Sequence, residues 1–255
     1  ETALNSYKSS SPKKKIPILT LQQKKVIKGI QDMKYGEALL LWGETGSGKT
    51  EVYLRIVESQ LRLNKSCLIL APEIGLIPQL IDRFAEKFEK NIFEYHSNCS
   101  PKYRQTVWRE ILNASEPLVV IGTRSSIFLP IKNLGIIILD EEHDNSYKQE
   151  NPMPCYDARE VAIDRSKVVN SKIVFGTATP SLSIWKKAYF ERKFKIMQMP
   201  ERISSTKIPE IKVVDMRDEF KRGNAKILSN ELLNSLSKLK LKNEQAIILV
   251  PRRGY

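Results

Sequence analysis

Histidine and cysteine are scarce in this chain of 255 residues, which holds two of the first and three of the second. Cys67, Cys99 and Cys155 are odd in number, show no C-x-x-C spacing and have only His96 and His143 to partner them. They supply neither a disulfide framework nor a zinc site, and a reducing, intracellular compartment fits them. Long apolar runs are missing too. No segment approaches the roughly 18 uncharged apolar residues of a membrane span, and no charged-apolar-small signal peptide opens the chain. The sequence therefore predicts a cytoplasmic protein without a membrane partner. Acid is short near the start, where residues 1–30 hold seven lysines against one acidic residue, nearly half of the net charge of +13. A basic arm of that kind suits a polyanion, nucleic acid before membrane, although Lys13, Lys14 and Lys15 beside Ser9, Ser10, Ser11 and Pro12 also read as a solvated linker.

Hydrophobic residues make up 41% of the chain, which excludes a disordered tail and a collagen-like or membrane-embedded protein. Short apolar runs at 38–42, 67–71, 92–95, 118–122, 135–139 and 173–176 alternate with amphipathic, helix-length stretches at 49–63, 76–88, 101–113 and 159–169. That alternation predicts an α/β fold, with βαβ units feeding a parallel sheet covered by helices on both faces. Past residue 200 the texture changes. A linker-like segment at 203–209 precedes a short strand at 211–214, a polar stretch, a helix at 229–239 and an apolar strand at 246–250. The expected organisation is a basic arm over 1–17, a first domain over 18–200, a linker over 201–228 and the opening of another domain over 229–255. Glu1 in place of methionine and an apolar run that stops near Tyr255 predict a piece of something longer.

Gly43-Glu44-Thr45-Gly46-Ser47-Gly48-Lys49-Thr50 matches G-x-x-x-x-G-K-[ST] between a predicted strand and a predicted helix. Three glycines let the backbone wrap an anion, with N–H groups and the positive helix end aimed at phosphates. Lys49 then neutralises β and γ oxygens and Thr50 offers a hydroxyl to Mg²⁺. The loop alone leaves kinases, transporter ATPases, GTPases and motors open. A second segment narrows the choice, because the apolar run 134–139 ends in Asp140-Glu141-Glu142-His143. A buried parallel strand delivers Asp140 and Glu141 at its carboxyl edge, where open α/β sheets bind ligands. Asp140 suits Mg²⁺ and Glu141 suits the attacking water of ATP hydrolysis. Acids after a strand also serve as helix caps, and the pairing with the loop favours catalysis over that alternative. Trp42 and Trp108 read as packing residues.

Asp140-Glu141-Glu142-His143 is a DExH box, and Gly176-Thr177-Ala178-Thr179-Pro180 resembles the third motif of superfamily 2 helicases. With residues 43–53, Ala71-Pro72-Glu73-Ile74-Gly75-Leu76, Ile121-Gly122-Thr123-Arg124-Ser125 and residues 140–149, the combination resembles the primosomal protein N′ (PriA) family of replication-restart helicases over roughly residues 18–255. The resemblance implies a RecA-like first motor lobe, a linker and the start of a second lobe. The implied activity is that of an ATP-dependent 3′ to 5′ DNA helicase acting at stalled forks and in primosome assembly. ATP and Mg²⁺ are the implied cofactors. Single-stranded and forked DNA, other primosome proteins and single-strand-binding protein are the implied partners, at a bacterial, nucleoid-associated fork.

By position, the resemblance gives Gln23, in Leu19-Thr20-Leu21-Gln22-Gln23, the adenine contact. His143, Thr177 and Thr179 would link the γ-phosphate pocket to the DNA side. Glu73, Arg124 and Ser125 would touch single-stranded DNA, and Tyr147 and Tyr156 would stack bases in an aromatic-rich loop. Two departures stand out: Pro152-Met153-Pro154-Cys155 fills the middle of that loop, and Tyr156-Asp157-Ala158-Arg159-Glu160 stands where the family has Tyr-His-Ala-Arg-Asp. The family's zinc-binding cysteines and arginine finger belong to a part of the second lobe beyond Tyr255, so no zinc is expected here. A nucleic-acid scaffold with a vestigial nucleotide site, another superfamily 2 translocase and an RNA helicase remain as alternatives.

Overall fold

A computed structural model describes residues 17–88, 91–203, 210–221, 223 and 227–249. Most of the predicted arm and linker residues 204–209 lie outside the described residues. The chain divides into two compact units, Glu1–Ser205 and Thr206–Tyr255.

The first unit contains strands β1 (Ala38–Gly43), β2 (Ser66–Leu70), β3 (Ile92–Tyr95), β4 (Val119–Gly122), β5 (Leu134–Asp140), β6 (Lys148–Gln149), β7 (Tyr156–Asp157), β8 (Lys172–Thr177) and β9 (Lys195–Met199). Seven of them form one sheet in the order β3-β4-β2-β5-β8-β1-β9, parallel at every pairing, while β6 and β7 make a small antiparallel ribbon. The predicted sheet strands stand within one residue at each end. Sequence reading missed β9, whose exposed Lys195 and Gln198 break up its apolar signal at the sheet's edge.

Helices α1 (Leu21–Gln31), α2 (Lys49–Arg62), α3 (Ile77–Ala85), α4 (Pro101–Asn113), α5 (Ala158–Val169) and α6 (Leu182–Trp185), extended by a π turn over Lys186–Phe190, cover the sheet. One core lies under α1, α2 and α3 and the other under α4, α5 and α6. Strand alternation divides the side chains between them. Ile136 and Ile138 of β5 enter the first core, and Ile137 and Leu139 enter the second. Being covered on both faces, β5 is apolar throughout until Asp140.

Local chemistry sets the helix starts. Thr20 and Gln23 form a reciprocal capping box at α1, and Ser100 with Pro101 opens α4. The start of α2 is different: Gly48 at φ 83° precedes it with no side-chain cap, so its first-turn N–H groups face outward from a glycine turn.

In the second unit, α7 (Met216–Lys221) and α8 (Asn230–Leu241) are helical, the latter capped by Ser229. The strands expected at 211–214 and 246–250 are corrected: residues 211–214 and 246–249 are not in strands. Ile211, Val213, Ile247 and Leu249 are largely exposed, and an apolar run without a ladder partner among the described residues does not make a strand.

Candidate active site

The chain leaves β1 through the glycine loop into α2 and then skips two positions to β2, so β5 and β8 fill in later from distant sequence. Such a skip opens a crevice at the carboxyl edge. β1 and β5 are separated there by β8 alone, about 10 Å at two strand spacings. Long side chains close that gap. Lys49 Nζ donates to the Gly43 carbonyl at 3.0 Å and lies 3.3 Å from Glu141 Oε1. The lysine is 8% exposed, held inside its own loop and against the acid pair.

Asp140 ends β5 with its Oδ1 accepting the Tyr53 hydroxyl at 2.9 Å. Burial and the neighbouring Glu141 push its carboxyl up, against the opposing pull of Tyr53 and Lys49. Glu141 adopts a left-handed backbone, φ 45°, uncommon for a residue with a side chain and found where chains turn sharply at functional sites. Its second oxygen lies 3.6 Å from His143 Nδ1, which is 2.8 Å from Thr177 Oγ1; that hydroxyl in turn accepts the Thr179 N–H at 3.1 Å. The acids thus reach the segment after β8 through one histidine.

Glu142 points away from the loop and is fully buried. Its oxygens accept the Ser181 N–H at 2.8 Å and the Ser181 hydroxyl at 2.7 Å, and its carbonyl accepts Arg159 at 2.9 Å. Arg159 is itself paired with Asp157 in a two-pronged contact, Nε and Nη2 at 2.9 and 2.7 Å. The sequence assigns Arg159 no partner and does not single out Ser181 or Tyr53. A signal existed for Tyr53, which follows Lys49 by four positions on the same helix face.

The phosphate loop is also held from behind. Glu44 N–H donates to the Met199 carbonyl and Ile203 N–H to the Gly46 carbonyl, each at 3.0 Å. Gln23 stands beside the same loop. It is 2% exposed, its Oε1 accepts the Thr20 N–H at 2.9 Å and its Nε2 faces the Ser47 and Gly48 carbonyls at 3.5 and 3.4 Å. As placed, this amide links α1 to the phosphate loop. Glu44, Thr45 and Gly46 are exposed on the loop's outer side, Ser47 is buried, and Thr50 is half-buried in the first turn of α2.

On the other side of the edge, Glu73 is exposed after β2 and Arg124 and Ser125 are half-buried after β4. Arg124 Nη1 donates to the carbonyls of Ser146 and Lys148 at 3.0 and 3.1 Å, and Ser146 Oγ donates to the Pro72 carbonyl at 2.8 Å. Three loops are therefore tied together. Tyr147 is corrected as a stacking platform, because its ring is fully buried and its hydroxyl shares one proton between the Leu70 and Asp140 carbonyls at 2.8 and 2.6 Å. Tyr156 is half-buried, edge-on to Phe128 with centroids 5.0 Å apart. Trp42 packs as expected, against Trp185 and through Nε1 to the Ala178 carbonyl at 2.9 Å, whereas Trp108 is 40% exposed.

Among the described residues no cluster of three or more His, Cys, Asp or Glu could hold a metal by itself. Thr50, in the first turn of α2, and Asp140, at the end of β5, carry a small set of oxygen donors. That set suits Mg²⁺, which keeps several waters and takes the rest of its ligands from phosphates.

Residues 20–187 match the family model described as DEAD/DEAH box helicase. The chain is 43% identical to the replication restart protein PriA of Synechocystis sp., over 94% of this chain and 29% of that protein. It is 39% identical to the replication restart protein PriA of Bacillus subtilis, over 100% of this chain and 32% of that one. The chain thus spans about a third of the length of the curated relatives it matches. Among solved structures, RecG bound to a three-way DNA junction is similar with a TM-score of 0.54 at 21% identity, covering 75% of this chain and 25% of that one. The Hef helicase domain of Pyrococcus furiosus is similar with a TM-score of 0.54 at 19% identity, covering 72% and 38%. These two likenesses concern the fold. No helix of the described residues is long and apolar enough to cross a membrane.

Proposed function

Because the chain belongs to the DEAD/DEAH box helicase family, we propose that it is the first ATP-binding motor lobe of a 3′ to 5′ DNA helicase that restarts stalled replication forks. The observation that carries this reading is the 3.3 Å approach of Lys49 Nζ to Glu141, which joins the phosphate loop and the acid pair across the end of β8. In this reading Lys49 exchanges its contacts for the β and γ oxygens of ATP, and the backbone N–H groups of Thr45, Gly46 and residues 48–50 cradle them. Thr50 and Asp140 would hold Mg²⁺, which when bound neutralises charge on those oxygens. Glu141 orients the attacking water and takes its proton, with the His143 contact keeping its carboxylate in place. His143 and Thr177 carry changes at Glu141 toward the segment after β8.

Glu73, Arg124, Ser125 and Tyr156 are proposed to touch single-stranded DNA, chiefly through phosphate, since Arg124 and Ser125 need not read bases. Support comes from their shared edge and from the Arg124 and Ser146 hydrogen bonds that bind these loops to one another. A second lobe would supply an arginine to the transition state. Closure on ATP and reopening after hydrolysis would then alter each lobe's grip on the strand. Other primosome proteins, single-strand-binding protein and a nucleoid setting belong to the same proposal.

Glu141→Gln in the whole helicase tests it. ATP binding should persist while DNA-stimulated hydrolysis falls about 10²- to 10⁴-fold. Unchanged turnover would remove Glu141 as the base. The same assay run with single-stranded DNA, single-stranded RNA and forked DNA separates a DNA motor from an RNA motor, and stimulation by none of them identifies a scaffold.

A further inference from the structure

Asp140 has a neighbour that belongs to neither the phosphate loop nor the acid cluster. Tyr53 follows Lys49 by four residues and Thr50 by three, so all three share one face of α2. Along β5, Ile136 and Ile138 face α1, α2 and α3, and Asp140 continues their parity toward α2. There the Tyr53 hydroxyl, on a side chain only 1% exposed, donates to Asp140 Oδ1 at 2.9 Å. Register places Gly176 of β8 directly beside Asp140, with the parity of Val174, which enters the same core. A Cβ on Gly176 would stand 1.8 Å from the Tyr53 hydroxyl oxygen and 2.9 Å from its Cζ. The phenol occupies the room that a side chain at 176 would need.

We propose that Tyr53 is a positioning residue for Mg·ATP. Its hydroxyl holds one oxygen of Asp140 so that the other is presented to the metal, and Gly176 is glycine because that hydroxyl stands against the sheet. The role rests on the reading of Asp140 as the carboxylate that supports Mg²⁺. A carboxylate at the end of a strand has several rotamers, and a fixed donor on the phosphate-binding helix selects one before metal arrives. The donor also ties α2 to Asp140 and fills the space beside Gly176.

Binding rather than turnover tests this. The affinity of the chain for a fluorescent ATP analogue is measured without metal. Mn²⁺ is then titrated into the nucleotide complex and its binding read by electron paramagnetic resonance. Tyr53→Phe should keep metal-free affinity within about twofold while Mn²⁺ affinity falls about tenfold, the scale of one lost hydrogen bond to a charged group. Gly176→Ala should do the same by displacing the phenol, and if it fails to fold, Tyr53→Phe, which deletes a single oxygen, carries the test. Combining Tyr53→Phe with Asp140→Asn should cost no more Mn²⁺ affinity than Asp140→Asn alone. Undiminished Mn²⁺ affinity in Tyr53→Phe, where Asp140→Asn does lose it, overturns the role and leaves the nucleotide site standing. Equal losses with and without metal also overturn it, since a packing defect acts on both. A parent chain that binds no nucleotide in either condition overturns the role and the functional reading together.

Discussion

Residues 140–147 and residues 150–155 lie close together in the chain, yet the first are tied to the elements of the main sheet and the second carry hydrogen bonds among themselves and with Lys148 and Gln149. Asp140 meets Tyr53, Glu142 meets Ser181, and Tyr147 meets the carbonyls of β2 and β5. In the other stretch Glu150 pairs with Lys148 at 2.8 Å, Gln149 Nε2 spans the Pro152 and Pro154 carbonyls at 2.9 and 3.0 Å, and Cys155 Sγ lies 3.0 Å from the Glu150 carbonyl. The difference teaches where variation is tolerated. Chemistry that needs a fixed geometry is built from buried polar groups whose partners are already in place. A loop whose bonds are local, as at Pro152-Met153-Pro154-Cys155, can change its middle without disturbing the residues at the end of β5.

Two lysines give the strongest way to break that contrast. Lys49→Ala should weaken ATP binding by about a hundredfold or more, because the proposed charged donor to phosphate oxygens, itself buried, disappears from the loop. Lys148→Ala removes a partner from an exposed pair and should leave ATP affinity within about twofold. Titration of the two variants with ATP decides it, and similar losses in both would erase the distinction between the regions.

Stability offers the next comparison. Tyr147→Phe leaves two buried carbonyls without their shared donor and should cost about 1–3 kcal/mol in denaturant unfolding. Met153→Ala, at 80% exposure in the loop, should change stability by no more than about 0.5 kcal/mol. A loop variant as costly as the tyrosine variant would show that residues 150–155 are braced by the core.

Much of this was legible beforehand because it rests on local pattern. Apolar runs bounded by turns located six of the seven strands of the parallel sheet, and the glycine loop located the start of α2. What escaped depends on the third dimension. No spacing in the sequence says that Tyr147 turns inward to the β2 and β5 carbonyls, since a tyrosine in an aromatic-rich loop carries the same letter whether buried or exposed. Gln23 carried a local signal, Thr20-x-x-Gln23 at a helix start, and its capping box uses the amide that base reading requires. The apolar letters at 211–214 and 246–249 satisfied the strand pattern, but a strand exists only with a partner, and partners are not written in the segment itself.

The smallest effect separates the two regions by the sign of a pH slope. Burial pushes the Glu142 carboxyl up, while the Lys148 contact pulls the exposed Glu150 carboxyl down. A carboxyl raised in the folded protein binds its proton more readily there than in the unfolded chain, where it titrates near about 4.3. Its contribution to stability is therefore complete below that value and declines as pH rises through the folded value. For a depressed carboxyl the contribution is present above the unfolded value and is lost as pH falls through the folded one. Unfolding measured from about pH 3.5 to 7 should then show the parent losing ground to Glu142→Gln as pH rises, since the amide can still accept the Ser181 N–H and donate to its hydroxyl. Against Glu150→Gln the parent should gain slightly over the same range, by an amount kept small by solvent. Slopes of the same sign would mean that Glu142 is stabilised as an anion by Arg159 and Ser181 more than it is penalised by burial, and the edge would then owe its rigidity to charge rather than to enclosure.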